Sequence, residues 1–399
     1  MISWKRNVIF IVTSQFVSMM AFAFAMPFIP FYLQEMGVRG QHELKIWVAL
    51  INSAAPFSLV IFSPIWGALA DRYGRKLMLL RANFGGVILL CLMGLATNPT
   101  ELLILRLLQG VLTGTVTAAI TMVSVFTPED RSGFALGVLS AAVNSGIMGG
   151  AFLGGMFADL FGYRMAFFAS SGIILVAGLL VLFGIEEYVA KRREAGERLR
   201  VSNLIPRNLG AAGYILLLIS VIGFVLSFDG SWLPLLVQDI HGSLRGASFW
   251  TGALSAAGGA AGLLAGPIIG RLADRITPPA IANLSSLGAG FMGILVGLAG
   301  NFPLLFGARF CGMFCAGGLD PVFQIWLSKV TPEQKRGFVF GWASSARALG
   351  WMLAPLISGA VAWWAGLRVI FFAAAAFFFL LVPLITFIVA RLERQNQRS

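Results

Sequence analysis

The chain has 399 residues, 58% hydrophobic and 12% charged, with 34 phenylalanines and a formal net charge of +12. That balance is too apolar for a water-soluble domain, and the basic excess sits in short connections between apolar stretches, which speaks against nucleic acid as a partner. No Gly-rich loop ends in Gly-Lys-Ser/Thr, no nucleophile–base pair suggests an enzyme, and Cys91, Cys311 and Cys315 have no accompanying ligands for a metal site.

Apolar stretches of roughly 20 residues, enough to cross about 30 Å of hydrocarbon as helix, recur along the whole length. They do not alternate in the manner of barrel strands, so the class expected is an all-α membrane protein. The first span, near 7–32, follows Lys5 and Arg6. It is longer than a signal-peptide core and has no small-residue cleavage site after it, so it reads as a retained helix. Phe22, Phe24 and Met26 in this span, with Trp326 much later, would give a broad adaptable cavity wall if they face inwards.

The second span, near 47–70, runs into Gly67-Ala-Leu-Ala-Asp71-Arg72-Tyr-Gly74-Arg75-Lys76. Glycines there let two helix ends approach and turn sharply, and the charges can bond partner side chains or exposed helix ends. Spans near 77–98 and 101–126 follow, the latter enclosing Arg106. An ionisable group inside a span is costly enough to be a functional candidate. The fifth span, 133–158, carries Gly137, Gly146, Gly150, Gly154 and Gly155, with steps of four that line one helix face. Small residues on such a face permit close helix contact.

After the sixth span, 164–185, a charged stretch over 186–208 reads as a linker tethered to an anionic inner leaflet. Spans near 209–236, 248–271, 278–300, 303–328, 337–362 and 367–390 bring the number to twelve. Asp229 in the seventh lies roughly level with Arg309 in the tenth, as a second proton site or as a group facing the outer mouth. Asp320 sits about nine residues, or about 13 Å of helix, from Lys329, and Arg347 reaches a similar depth on the next, antiparallel helix. A salt bridge between them that protonation releases is therefore possible, a permanent structural pair being the alternative. Glu35, Glu101, Asp159 and Asp239 fall at outer ends, where solvation accounts for them.

Of the 29 basic residues, five (Arg39, Lys45, Arg164, Arg245, Arg368) fall on one side, three (Arg106, Arg309, Arg347) inside spans, and the rest on the side of both termini. The positive-inside rule then places both termini in the cytoplasm of an inner-membrane protein.

The chain can also be laid on itself with a shift of 203 to 204 residues. Thr127-Pro128-Glu129 matches Thr331-Pro332-Glu333, Arg106 matches Arg309, and Pro30 and Gln34 match Pro234 and Gln238. The expected organisation is a bundle over 1–185, a cytoplasmic basic linker over 186–208 and a second bundle over 209–399. Two parallel six-helix repeats around a midplane cavity suit rocking between inward-open and outward-open states.

The Gly67–Lys76 segment resembles the loop 2–3 signature of the major facilitator superfamily, and the likeness extends over nearly the whole chain to its bacterial multidrug exporters. The resemblance implies twelve transmembrane helices in two six-helix bundles related by a pseudo-twofold axis. It implies that Asp71, Arg72 and Arg75, with Gly67, Gly74 and Lys76, close the cytoplasmic side in one state. Leu105-Arg106-Leu-Leu-Gln109-Gly110 resembles the fourth-helix signature, whose arginine is associated with proton coupling. The glycine face of the fifth span resembles the antiporter signature, except that Ala151 stands where that signature has proline. The repeat partner of this face has Pro355.

The function expected is proton-coupled multidrug efflux by alternating access, taking apolar or cationic small molecules across the inner membrane, with protons as coupling ion, no other cofactor, and a monomer as the working unit. Proton-coupled uptake or export of a specific metabolite or lipid is the alternative on the same fold.

Overall fold

The computed structural model describes residues 4–186, 211–273, 277–319 and 336–396. Asp320, Trp326 and most of the linker lie outside these residues, as do the side-chain surroundings of Gly67, Asp71 and Arg72.

Hydrophobic runs bounded by Gly and Pro give fifteen described α-helices, in chain order α1 (Trp4–Ala25), α2 (Ile29–Glu35), α3 (Gln41–Tyr73), α4 (Arg75–Leu95), α5 (Pro99–Leu112), α6 (Thr115–Phe126), α7 (Glu129–Phe161), α8 (Tyr163–Gly184), α9 (Ala211–Ser227), α10 (Leu233–His241), α11 (Ala247–Ala273), α12 (Pro278–Leu298), α13 (Phe302–Ala316), α14 (Arg336–Ala365) and α15 (Val369–Asn396). Among the described residues nine helical segments are long and apolar enough to cross a bilayer. With α5 and α6 taken together, α11, and the shorter apolar α13, the fold has twelve passes in two six-helix bundles.

Three passes that read as continuous apolar spans are interrupted. In the first, a 3-10 turn at Met26–Phe28 separates α1 from α2, with Pro27 inside it and Pro30 in the first turn of α2. Each proline lacks the N–H that would bond to the preceding turn, and here two of them fall together where the ladder gives way. The seventh pass repeats the device with a turn at Gly230–Trp232 and Pro234 at the start of α10. The fourth breaks at Gly114, whose φ of 123° suits glycine and no other residue.

The repeat is visible in the packing. Helix α1 lies on α7 and α8, as α9 lies on α14, and α4 packs on α8 as α12 packs on α15. Across the halves, α3 packs on α14 and α7 on α11, which are equivalent pairs under the sequence shift. The largest apolar cluster draws on both halves, with Phe28, Phe31 and Tyr32 from one and Phe228, Trp232 and Phe371 from the other, all at most 1% exposed. It lies at the end of the molecule opposite the termini, called the distal end below. Two further clusters, around Leu79, Val123 and Val181 and around Ile219, Leu381 and Ile385, each belong to one half and lie nearer the termini. The described core is thus shared at the distal end and divided at the other.

Within this distal core the Tyr32 hydroxyl donates to the carbonyls of Met93 (3.0 Å) and Ala96 (3.2 Å), where α4 runs out of internal partners. Tyr32→Phe is expected to lower stability by about 1 kcal/mol, read as a lower unfolding temperature of the detergent-purified protein. An unchanged midpoint would show that these carbonyls do not need the hydroxyl.

Candidate functional site

The two proline-marked breaks face each other across the middle of the molecule and leave a cavity of about 350 Å³ between the halves. Met26, Pro27 and Pro30 come from the first break, Gly230, Ser231 and Leu233 from the second. Asn52 on α3, Leu254 and Ser255 on α11, and Arg309 and Met313 on α13 complete the wall with two glycines of α11. A mostly apolar surface with a few convergent polar groups is the usual make-up of a small-molecule site, and the volume is at the lower end of that class.

Asp229, at the end of α9 beside the second break, binds Arg309 on the cavity wall, with Oδ2 and Nη1 2.5 Å apart. The side chains keep only 14% and 16% of their exposure. The depth count along the helices put the two at one level, and the structure brings them into contact. Arg106, the repeat partner of Arg309, is 9% exposed. Its Nη1 donates to Gln109 Oε1 (2.6 Å) and to Met26 Sδ (3.1 Å), and its Nε to the Ile51 carbonyl (3.3 Å). No described carboxylate pairs with it: the repeat shift carries Asp229 onto Ala25. The two arginines have therefore diverged, one held by a carboxylate and one by neutral acceptors. Removing the best of these acceptors with Gln109→Leu is expected to cost about 1.5–3 kcal/mol, the scale of a hydrogen bond to a charged group, measured by thermal unfolding. A stability equal to the parent's would mean that Arg106 finds another acceptor.

Arg347 lies on α14 against Gly223 of α9, where a Cβ would come within 3.0 Å of its carbonyl oxygen. Its expected partner Asp320 is outside the described residues. Met26 lines the cavity, but Phe24 does not: it is 6% exposed, with its ring 5.4 Å from that of Phe157 on α7. Phe22 points into its own half beside Gly86 of α4. Both expectations are corrected by helical phase, since α1 turns these positions towards α7 and α4 before the break at Met26.

The glycines of α7 do not form one face. A Cβ at Gly146, Gly150 or Gly154 would collide with the carbonyl of Phe16, Met20 or Phe24 respectively, all on α1. Gly155 instead meets the Ser248 carbonyl on α11 of the other half, and Gly137 has no neighbour within 4 Å. In the loop signature, Gly74 links α3 to α4 with a φ of 94°. Lys76 Nζ donates to the carbonyls of Leu182 (2.8 Å) and Ile185 (2.6 Å), capping the end of α8 in its own half.

The cavity is sealed at the distal end by bonds between the halves. Asp159 Oδ2 accepts from the Phe249 N–H (2.7 Å), one of the unpaired donors in the first turn of α11. At the equivalent seam Lys45 Nζ donates to the Ala362 carbonyl (2.9 Å) in the last turn of α14. Tyr163 and Ser248 share a hydrogen bond of 3.0 Å beside the first seam, and Gln34 and Gln238 join α2 to α10. Solvation is therefore not the whole account of Asp159. Its offset from a helix end of the other half could not be read from one span alone. Asn52, Ser231 and Ser255 also escaped the sequence reading, because isolated polar residues in a span carry no signal of where they point.

Among the described residues no group of three or more His, Cys, Asp or Glu side chains is assembled for a metal ion.

Known proteins resemble this chain along its length. A family model described as Major Facilitator Superfamily matches residues 11–297 and 251–399. The multidrug resistance protein MdtG of Escherichia coli O17:K52:H18 (strain UMN026 / ExPEC) is 34% identical over 377 residues, covering 93% of this chain and 91% of that protein. The human organic anion transporter MFSD10 (TETRAN) superposes with a TM-score of 0.75 at 18% identity, over 96% of this chain and all of that one. The nucleoside transporter NupG gives 0.76 at 12% identity, over 96% and 99%. At such low identity these two structures speak for the fold alone.

Proposed function

This chain belongs to the major facilitator superfamily, and from that premise we propose that it exports structurally diverse small molecules across the inner membrane in exchange for protons, by alternating access of the cavity between its halves. The observation that carries the reading is the Asp229–Arg309 ion pair on the wall of a cavity sealed at the distal end. A carboxylate and a guanidinium removed from water hold each other while both are charged. Protonation of Asp229 ends the attraction and leaves Arg309 to find another partner, which gives the proton a means of changing the balance between two packings. Substrate and proton are coupled to the extent that each prefers a different packing, and the coupling is reciprocal.

Asp320 and Arg347 form a second candidate pair on sequence grounds, with Arg106 assisting. Asp71, Arg72 and Arg75 are assigned the latch at the cytoplasmic face, where the positive-inside pattern puts both termini. Met26, Leu233, Leu254 and Met313 on the cavity wall favour apolar ligands. Likeness to a multidrug resistance protein agrees with a broad range. The working unit is taken to be the monomer, since each chain encloses its own cavity.

The direct test is transport in proteoliposomes under an imposed pH gradient, using a lipophilic cationic dye and a neutral one. Movement of either against its own gradient, abolished by a protonophore, is the expected result. If the purified protein moved neither dye uphill at any gradient, the exporter reading would be wrong.

A further inference from the structure

The bonds that seal the distal end differ in kind. Those at the two seams are charge-assisted and unlike each other, a carboxylate on an N–H in one and an ammonium on a carbonyl in the other. Between them the short helices α2 and α10 bring together two residues that are the same residue of the repeat, 204 positions apart. Gln34 Nε2 donates to Gln238 Oε1 (2.9 Å), and Gln238 Nε2 donates to Gln34 Oε1 (3.0 Å). A residue that meets its own repeat copy stands on the pseudo-twofold axis. There a side chain must be complementary to itself, as in any isologous contact. A carboxamide, with one donor and one acceptor side by side, meets that condition, whereas two carboxylates or two ammonium groups would repel. Gln34 is further aimed by a bond from its Nε2 to the Pro30 carbonyl (3.3 Å), so the proline that ends the helical break also orients the amide.

Three properties suit this pair to opening and closing. It is neutral, so separating the partners strands no charge. It is only partly buried, so water can take over both amides as they part. And it joins the two short helices that follow the breaks at Met26–Phe28 and Gly230–Trp232, the segments that also line the cavity.

We propose that Gln34 and Gln238 are the gating residues of the distal side, an amide clasp on the pseudo-twofold axis that closes the cavity in the state described here and opens whenever the cavity turns to the distal face. The proposal rests on the alternating-access reading, and its test uses a readout that does not need transport.

In a chain carrying Cys91→Ser, Cys311→Ser and Cys315→Ser, Ser231→Cys places a reporter on the cavity wall, and a membrane-impermeant maleimide is added at the distal face. Gln34→Ala, Gln238→Ala and the double variant are each expected to speed labelling by about fivefold, the population shift worth about 1 kcal/mol, which is two hydrogen bonds at the weak end of the net scale because water replaces both. The three should be equal, because loss of either amide breaks both bonds. In the same chain without the reporter, Gln34→Cys with Gln238→Cys, once bridged by a short bifunctional methanethiosulfonate, should stop export, and a reductant should restore it. Labelling rates within about twofold of the parent in the double variant would overturn the proposal, as would export that persists through the cross-link. If the cysteine pair does not fold, the alanine variants still decide. A parent that labels as expected but exports nothing would remove the exporter reading and leave the clasp standing.

Discussion

Asp229→Asn is expected to abolish uphill export driven by a pH gradient while leaving substrate binding in place. The carboxamide keeps the shape of the side chain and a hydrogen-bond acceptor for Arg309, but it can neither carry the charge nor exchange the proton. In the parent, two groups that are 14% and 16% exposed offset each other's loss of hydration. Breaking a buried pair by removing one partner typically costs about 3–5 kcal/mol, and the remaining exposure puts this pair at or below the lower figure. The pH dependence of dye affinity, which in the parent should carry about the 5- to 150-fold that a coupling free energy of ordinary size represents, should flatten. The double variant Asp229→Asn with Arg309→Gln separates stability from coupling, since it removes the stranded charge. It should recover the unfolding temperature and still fail to couple. Should Asp229→Asn accumulate dye uphill as well as the parent does, coupling runs elsewhere, and Asp320→Asn is then the variant to compare.

The difference between what hydropathy announces and what packing decides is clearest in the first pass. A window of about 20 residues is long enough to find a span and too long to see a break inside it. The interruption at Met26–Phe28 could have been suspected from Pro27 and Pro30, and the matching Pro234 in the repeat strengthens that signal. The break at Gly114 has no proline to mark it and depends on a backbone angle. Repeat and span number were legible because they are written in many residues at once, whereas the facing of a single side chain is written in its neighbours on other helices. Met26 and Phe24 are two residues apart in a stretch, 19–31, without a polar side chain. One lines the cavity and the other is packed on α7, and nothing in the local sequence distinguishes them. Asp229 and Arg309 were legible as a pair because charges in spans are few, so counting residues from the membrane surface leaves little choice of partner. Gln34 and Gln238 stood out only as a repeat match, and their meaning appears when the two halves are set face to face.

The glycines of α7 show how a motif can be legible while its physical role is not. Read as one face, they predict that all five positions respond alike to substitution. The structure predicts three separate behaviours. Gly146, Gly150 and Gly154 form a groove that admits the backbone of α1, and the twin contact between α9 and α14 uses Gly350 against the backbone of Ser220, Gly223 and Phe224 in the same way. Gly154→Val should therefore drive α1 from α7. Forcing extra atoms into a packed core costs about 1–3 kcal/mol when side chains can yield, and a backbone carbonyl yields less, so the loss should exceed that range and appear as failure to recover monodisperse protein. Gly155→Val should press hardest on the Ser248 backbone of α11, its own half meeting it only with the Phe28 ring edge at 3.2 Å, and so weaken the distal seam and raise maleimide labelling of a cavity cysteine from the distal face. Gly137→Ala meets nothing and removes backbone freedom from a helix interior, so it should stabilise by about 0.5–1 kcal/mol with export unchanged. Thermal unfolding and dye efflux on the three variants distinguish a packing groove from a functional face. Equal stabilities for Gly154→Val and the parent would remove the groove, and a loss of export in Gly137→Ala at unchanged stability would return the stripe to a direct part in transport.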